Sequence, residues 1–383
     1  MADKQSAIRF LKGALCGAAL CCAVFCGRAA LFIKEKTPEN MTVGEKAALI
    51  ASMLESNYIE DFDENGLADK MYSGMADSVG DPYTVYLSAE EMTAFMDEAG
   101  GTVTGIGIVM SKDENGNCVV SDIINGSPAE SSGLKAGDII TSIDGESVVG
   151  LSVPEVSALT KGKSDTYIRI GILRDSEPLV FDIKRSTVEL NYVEHRKDGN
   201  IGYIKITEFT KNAAGQFKNA VKELTAQGID GIVLDLRDNP GGIIDSAAEI
   251  GDLLLPECVI TYTVDKNGGR TDFTSDSEYC SLPLAVLVNG GSASASELLA
   301  GAIQDNGRGI IIGEQTYGKG IVQGLYGFND GSGIKITIQR YFTPNGVCIH
   351  GEGITPDIVV HTDVKDASGD DTQYEKAVET LGV

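Results

Sequence analysis

Three serines alternate with alanines in the stretch VLVNGGSASASELLAGAIQD, which runs from residue 286 to residue 305. Ser294 and Glu297 fit the S-x-x-E capping box, so an ordinary role for the Ser294 hydroxyl is to cap the helix that follows. The same position also suits a nucleophile, because a serine between an apolar strand and a helix start faces the positive end of the helix dipole. The spacing does not distinguish Ser294 from Ser292 or Ser296.

A serine nucleophile needs a base, and the histidines offer no obvious one. His195, His350 and His361 lie in separate segments without the context of a catalytic triad, which disfavours a triad without excluding it. Lys319 is the other candidate, since it stands between two glycines in EQTYGKGIVQ, directly after the apolar run GIIIGE. Burial lowers the pKa of a lysine, and a neutral amine accepts a proton. The alternative is a solvated turn lysine.

A third motif, DLRDNPGG at residues 235–242, leaves an apolar strand through a Pro-Gly-Gly turn and enters a helix. Unpaired backbone N–H groups at such a helix start suit the stabilisation of an oxyanion. A plain strand-to-helix turn explains the same residues equally well.

The elements around these motifs alternate between apolar strands and amphipathic helices from about residue 200 onwards. This rhythm predicts an α/β core with a largely buried sheet, in which sites collect at strand ends. Residues from about 43 to 98 show helical spacing, with a capping box at Ser88 and a turn at GDPY, residues 80–83. We expect this helical region to be scaffold and not part of the site.

Between these regions, residues from about 101 to 185 read as short strands separated by turns, with short helices at SPAESSGL and VPEVSALT and a closing hairpin formed by YIRIGIL and LVFDIKR. The segments GIGI and GSPAESSGLKAGDIITSIDG resemble a PDZ domain. The resemblance places Gly105, Ile106, Gly107 and Ile108 in the loop that binds a terminal carboxylate. An exposed strand edge of this kind accepts a peptide as an added strand.

Taken in order behind the PDZ segment, DLRDNPGG, NGGSASASELLAGAIQD, GEQTYGKGIVQ and YFTPNGVCIHGEGITPDI resemble the C-terminal processing peptidases, also called tail-specific proteases. The resemblance covers roughly residues 42–360 and implies a crotonase/ClpP-like α/β core. It also implies a serine-type endopeptidase without metal or organic cofactor. His350 departs from the family pattern, in which many relatives have another polar residue.

The resemblance also implies residue roles, which resolve the choice among the three serines. It makes Ser294 the nucleophile, Lys319 the general base and Gln323 the residue that orients the lysine. It assigns the oxyanion donors to Ala295 and to the glycines Gly241 and Gly242. It makes Asp305 a supporting acidic residue near the dyad. Which of the two glycines donates is left open.

The expected fold class is a multidomain α+β and α/β chain. Its expected parts are a signal or membrane-anchor segment with linker at 1–40, a helical region at 41–98, a PDZ domain at 99–186, a peptidase core at 187–365 and a C-terminal tail at 366–383. The first part rests on an apolar run that follows Lys4, Arg9 and Lys12. It predicts a single-pass protein with its catalytic domain outside the cytoplasm, or a secreted one if the segment is cut. Cys258 and Cys280 are a conceivable disulfide pair in that setting.

Composition and charge limit the kinds of molecule that the protein is expected to bind. The 383 residues carry a formal charge of −25, which disfavours nucleic acid as a partner. The expected partners are protein substrates with exposed C-termini and, through the N-terminal segment, the membrane; a homo-oligomer stays open. Two alternatives remain: a non-catalytic PDZ adaptor for C-terminal peptides, and a crotonase-like CoA-ester enzyme that has no need of Lys319.

Overall fold

The computed structural model describes residues 41–61, 63–361 and 371–383. The chain divides into two compact units, Met1–Ala68 and Asp69–Val383. Over the described ranges, no helix is both long enough and apolar enough to cross a bilayer. The predicted signal or anchor segment, residues 1–40, lies outside them.

The N-terminal region contains helix α1 (Val43–Asn57), helix α2 (Glu64–Asp77), strand β1 (Val85–Leu87) and helix α3 (Ala89–Gly100). The capping box predicted at Ser88 is confirmed, because its hydroxyl accepts a hydrogen bond from the Glu91 N–H at the start of α3. The strand was not expected in a helical region. It follows the GDPY turn and pairs with a strand of the core.

The next region is built from strands and two short helices. They are β2 (Thr102–Gly105), β3 (Ile108–Lys112), β4 (Cys118–Ile123), α4 (Pro128–Ser132), β5 (Ile139–Ile143), β6 (Glu146–Ser147), α5 (Val153–Thr160), β7 (Tyr167–Arg174), β8 (Glu177–Lys184) and β9 (Ser186–Glu189). An antiparallel sheet runs β3-β4-β5-β7-β8, with β6 on β5, and β2 pairs with β9. The predicted short helices and the closing hairpin β7–β8 are confirmed. Its core is mostly isoleucine and valine, whose branched side chains suit a pleated surface.

The remaining strands are β10 (Val193–Asp198), β11 (Ile201–Ile206), β12 (Gly231–Asp235), β13 (Val259–Asp265), β14 (Arg270–Thr274), β15 (Leu284–Val288), β16 (Ile310–Gly313), β17 (Ile321–Gly327), β18 (Gly333–Phe342) and β19 (Ile358–Val359). The helices are α6 (Ala213–Ala226), α7 (Ile244–Leu254), α8 (Ala295–Asp305) and α9 (Thr372–Leu381).

One sheet of this core runs β10-β11-β12-β15-β16-β19, and every pairing beyond the antiparallel β10–β11 pair is parallel. The strands β12 and β15 are wholly buried, as their continuous apolar runs predict. Neighbouring parallel strands end at the same edge of a sheet. The motifs that follow β12, β15 and β16 therefore emerge side by side.

A second, antiparallel sheet runs β1-β18-β13-β14, with β17 also on β18. It carries Gln323 on β17 and brings the N-terminal strand β1 onto the core. Cys258 and Cys280 are both free thiols in this structure, so the conceivable disulfide is not formed.

The segment predicted to be a C-terminal tail contains α9, which packs Ala377 into a cluster with the face of the parallel sheet. Arg237, directly after β12, joins this helix to the core. Its guanidinium lies 2.6 Å from Asp235 and 2.7 Å from Asp371. Burial opposes the charge of Arg237, but the hydrogen bonds that its guanidinium donates to these carboxylates raise its pKa overall. The C-terminal helix therefore supports the strand that leads into DLRDNPGG.

Candidate active site

Ser294 begins α8 with a backbone conformation unlike that of other serine caps in the chain. Ser88, Ser127 and Ser152 have φ between −76° and −59°, and each side chain accepts a hydrogen bond from the third helical residue. Ser294 has φ 54° and ψ −113°. A positive φ is rare for serine and stores strain, as it does at a nucleophile elbow. The backbone at Ser294 therefore differs from that of an ordinary helix-capping serine.

The two neighbouring serines have structural bonds instead. The Ser292 hydroxyl donates to the Leu236 carbonyl at 2.8 Å, and the Ser296 hydroxyl donates to the Asn239 carbonyl at 2.9 Å. Both residues are fully buried, whereas Ser294 is 8% exposed. These bonds attach the serine segment to the DLRDNPGG turn.

The buried carboxylate of Glu297 connects the serine segment to the lysine segment. One of its oxygens, Oε2, accepts the N–H groups of Ser294 and Lys319, each at 2.8 Å. The other, Oε1, accepts the Gly318 N–H and the Thr316 hydroxyl, each at 2.6 Å. Because both nitrogens contact one oxygen, Ser294 N and Lys319 N are no more than twice 2.8 Å apart. The structure thus brings the two residues side by side.

Tyr341 makes a second connection between the same residues. Its buried hydroxyl lies 2.7 Å from the Ser294 carbonyl oxygen and 2.6 Å from that of Lys319. Burial raises the pKa of Tyr341 well above its usual value, so the hydroxyl keeps the proton that it donates. The backbones of Ser294 and Lys319 are held on both their N–H and their carbonyl sides.

Lys319 is half-buried, and burial is the largest cause that lowers its pKa below the ordinary value of 10.5. The positive charge of Lys335 lowers the pKa further, while the carboxylates of Asp81 and Glu297 oppose the shift. The ammonium nitrogen lies 4.6 Å from the centre of the Tyr83 ring. In these surroundings Lys319 gives up its proton more readily than a solvated lysine does. The alternative of a solvated turn lysine is therefore disfavoured.

The two glycines considered for the oxyanion differ in position. Gly241 has φ 107°, and a Cβ added there would lie 2.7 Å from Ser294 Cβ and 2.9 Å from Ala295 N. Gly242 instead faces the backbone of Phe209. Of the two, Gly241 adjoins the serine and the first N–H of α8. Its own N–H donates to the Asn239 side-chain oxygen at 2.9 Å.

Gln323 and Asp305, the other residues expected at the site, make hydrogen bonds to residues other than Ser294 and Lys319. The Gln323 amide donates to the Thr337 hydroxyl at 3.4 Å, at a bulge in β17. Asp305 ends α8, ten residues after its first residue Ala295, so at 1.5 Å per residue it lies about 15 Å from the helix start. Its carboxylate accepts the Asn345 N–H at 2.9 Å. The structure does not bring Asp305 to the dyad, and the carboxylate nearest both residues is that of Glu297.

The GIGI segment connects β2, which ends at Gly105, to β3, which begins at Ile108. Ile106 is buried in the core of the antiparallel domain. Gly107 has φ 78°, and a Cβ there would lie 2.3 Å from Ser127 Cβ, so only glycine fits. Peptide binding by these four residues stays a prediction.

Three residues of the site were missed by the sequence interpretation. Glu297 was recognised only as a capping residue, although a glutamate inside an otherwise apolar helix must find partners when it is buried. Tyr83 belongs to the turn that was expected to be scaffold. Tyr341 gave no signal beyond an aromatic residue in a strand.

Known protein families match two regions of the chain. A sequence model of peptidase family S41 matches residues 200–360, and a PDZ-domain model matches residues 93–173. The chain is 34% identical over 340 residues to a protein of Staphylococcus haemolyticus named "Probable CtpA-like serine protease", covering 85% of this chain and 68% of that relative. The chain belongs to peptidase family S41. It is a serine peptidase of this family with a PDZ domain.

A second curated relative and two solved structures are also similar to the chain. A CtpA-like serine protease of Staphylococcus aureus is 34% identical over 91% of this chain and 72% of its own length. The photosystem II D1 C-terminal processing protease is 32% identical over 85% of this chain and 88% of that chain, with a TM-score of 0.49. An S41 protease of Bacteroides fragilis shares the fold at 16% identity, over 91% and 99% of the two chains, with a TM-score of 0.50. Membership in this family favours the peptidase over the adaptor and CoA-ester alternatives.

Proposed function

We propose that Ser294 is the nucleophile and Lys319 the general base of this peptidase. The observation that carries the proposal is the single oxygen of Glu297 that accepts the N–H groups of both residues. The strained backbone of Ser294 and the lowered pKa of Lys319 support it further. Neither feature is needed for helix capping or for a solvated turn.

In this mechanism the neutral amine of Lys319 accepts the proton of the Ser294 hydroxyl as the oxygen attacks a peptide carbonyl. The Ala295 N–H at the start of α8 donates to the developing oxyanion. The Gly241 N–H exchanges its neutral acceptor on Asn239 for the anion, which is the stronger acceptor. The Lys319 ammonium then protonates the leaving amine. Water, deprotonated by Lys319, finally hydrolyses the acyl-enzyme and frees Ser294.

We assign substrate capture to the PDZ domain, with the free C-terminus of a protein bound at Gly105 to Ile108. The supporting observation is that Gly107 has a left-handed conformation in the turn between two strands. Turns of this kind can direct backbone N–H groups towards an anion. We keep the expected domain limits at 99–186 and 187–365 and the crotonase/ClpP-like description of the core. The parallel order of β11, β12, β15 and β16 supports that description.

We further propose that residues 1–40 export the protein or tether it to the cell membrane, with the peptidase outside the cytoplasm. The support is the cationic start and the apolar run in the sequence. Cell fractionation of the full chain tests this, and recovery of the protein in the cytoplasmic fraction would contradict it. Light scattering determines whether the protein is a homo-oligomer, which the sequence leaves open.

The dyad is tested by cleavage of an unstructured protein with the wild type, Ser294→Ala and Lys319→Ala. We expect both variants to lose cleavage while they still bind a peptide that carries the substrate's C-terminus. Cleavage at the wild-type rate by either variant would contradict the assignment of that residue.

A further inference from the structure

The GDPY turn, residues 80–83, is rigid. The Asp81 carboxylate accepts the Tyr83 N–H at 3.0 Å and the Thr84 hydroxyl at 2.7 Å. The Asp81 carbonyl also accepts the Thr84 N–H at 3.1 Å. These bonds fix the direction in which the backbone presents the Tyr83 side chain.

The same turn is hydrogen-bonded to strand β18 of the core. The Thr84 hydroxyl accepts the Thr337 N–H of β18 at 3.1 Å, and Val85 pairs with Lys335 of the same strand. The Thr337 hydroxyl accepts the amide of Gln323. The turn, β18 and Gln323 therefore form one hydrogen-bonded assembly beside Lys319.

The Tyr83 ring meets the Lys319 ammonium at 4.6 Å, within the range of a cation–π contact. The ring attracts the ammonium form of the lysine and has no comparable attraction for the neutral amine. The other charged groups that act on Lys319 come from three elements: Asp81 on the turn, Glu297 on α8 and Lys335 on β18. Lys335 repels the ammonium, whereas the ring and the two carboxylates attract it.

We propose that Tyr83 is a positioning residue for Lys319, whose ring holds the ammonium in place between accepting the serine proton and delivering it to the leaving amine. This inference rests on the proposed Ser294/Lys319 mechanism. It assigns part of the site to the N-terminal region, which the sequence indicated to be scaffold. The hydroxyl of Tyr83 is not required, since the ring face makes the contact.

The proposal predicts the direction of a pH effect. Removing the ring removes an interaction made only by the ammonium, so the pKa of Lys319 falls. Since activity requires the neutral amine, the acid limb of kcat/KM moves to lower pH by about 0.5 to 1 unit. The plateau falls about tenfold because the lysine is less well placed. The hydrogen bond that the Tyr83 hydroxyl makes to Tyr317, together with burial, raises the pKa of Tyr83 to about 12, so Tyr83 does not titrate within the profile.

The test compares pH profiles of kcat/KM from pH 6 to 10 for Tyr83→Leu, Tyr83→Phe and the matched control Tyr86→Leu. Tyr86 lies in the same segment, but its hydroxyl bonds Asp69 and its ring contacts Tyr72. We expect the shifted limb and lower plateau only in Tyr83→Leu. If that variant fails to fold, as judged by thermal melting, Tyr83→Met takes its place. The proposal would be overturned if the acid limb of the Tyr83→Leu profile did not shift, or if Tyr86→Leu showed an equal shift.

Ser294→Ala and Lys319→Ala, measured alongside, separate the two proposals. If both variants are inactive and the acid limb of the Tyr83→Leu profile is unshifted, the Ser294/Lys319 mechanism is supported and only the role of Tyr83 is refuted. If Lys319→Ala retains the pH-dependent cleavage, the dyad itself fails, and the role of Tyr83 fails with it.

Discussion

Glu297→Gln tests the carboxylate on which the serine and lysine segments converge. Glutamine offers one acceptor oxygen instead of two. With that oxygen at the Oε2 position, the Gly318 N–H loses its acceptor; with it at the Oε1 position, the N–H groups of Ser294 and Lys319 both do. A buried donor without an acceptor costs about 1–3 kcal/mol. We therefore expect the free energy of unfolding to fall by about 1–3 kcal/mol in the first orientation and by about 2–6 kcal/mol in the second.

Activity falls as well, because the peptides of the nucleophile and base are no longer held to one atom. We expect kcat/KM to drop at least about tenfold. Urea unfolding and cleavage of a fluorescence-quenched peptide measure the two effects. The matched control is Glu155→Gln, at an exposed capping box whose carboxylate accepts only from Ser152 and where glutamine serves equally well. Stability and activity of Glu297→Gln equal to those of this control would refute the reasoning.

Three further substitutions test neighbouring assignments. Ser296→Ala keeps cleavage but lowers the free energy of unfolding by about 1 kcal/mol, since its hydroxyl serves a backbone carbonyl; abolished cleavage in a folded variant would point to Ser296 as nucleophile. Gly241→Ala places a Cβ 2.7 Å from Ser294 Cβ and should reduce kcat/KM at least about tenfold, whereas Gly145→Ala, also at positive φ but in open space, should not. Asp305→Asn should leave kcat/KM within about twofold, as the far end of α8 is about 15 Å from the start of the helix at Ala295; a large loss would show that Asp305 belongs to the site.

Local sequence patterns predicted the elements of this protein well. The capping box at Ser88, the short helices of the PDZ domain and the alternating core elements depend on neighbours a few residues apart, and these neighbours are visible in the sequence. The fully buried strands β12 and β15 likewise appear as continuous apolar runs.

Contacts between distant segments were not predictable in the same way. Glu297 has the local pattern of a capping residue, and its bond to Lys319 depends on β15 and β16 ending at one edge. Tyr83 meets Lys319 only because β1 joins a sheet of the core. The two glycines of the Pro-Gly-Gly turn are equivalent in sequence, and only their packing distinguishes them.

The pH profile of kcat/KM for the wild type, from pH 6 to 10, tests the Ser294/Lys319 mechanism most directly. The deprotonated amine is the active form, and burial lowers its pKa, so activity should rise with pH and reach half its plateau below pH 10.5. Lys319→Ala should abolish this activity. A flat wild-type profile, or cleavage by Lys319→Ala at the wild-type rate, would contradict lysine as the base.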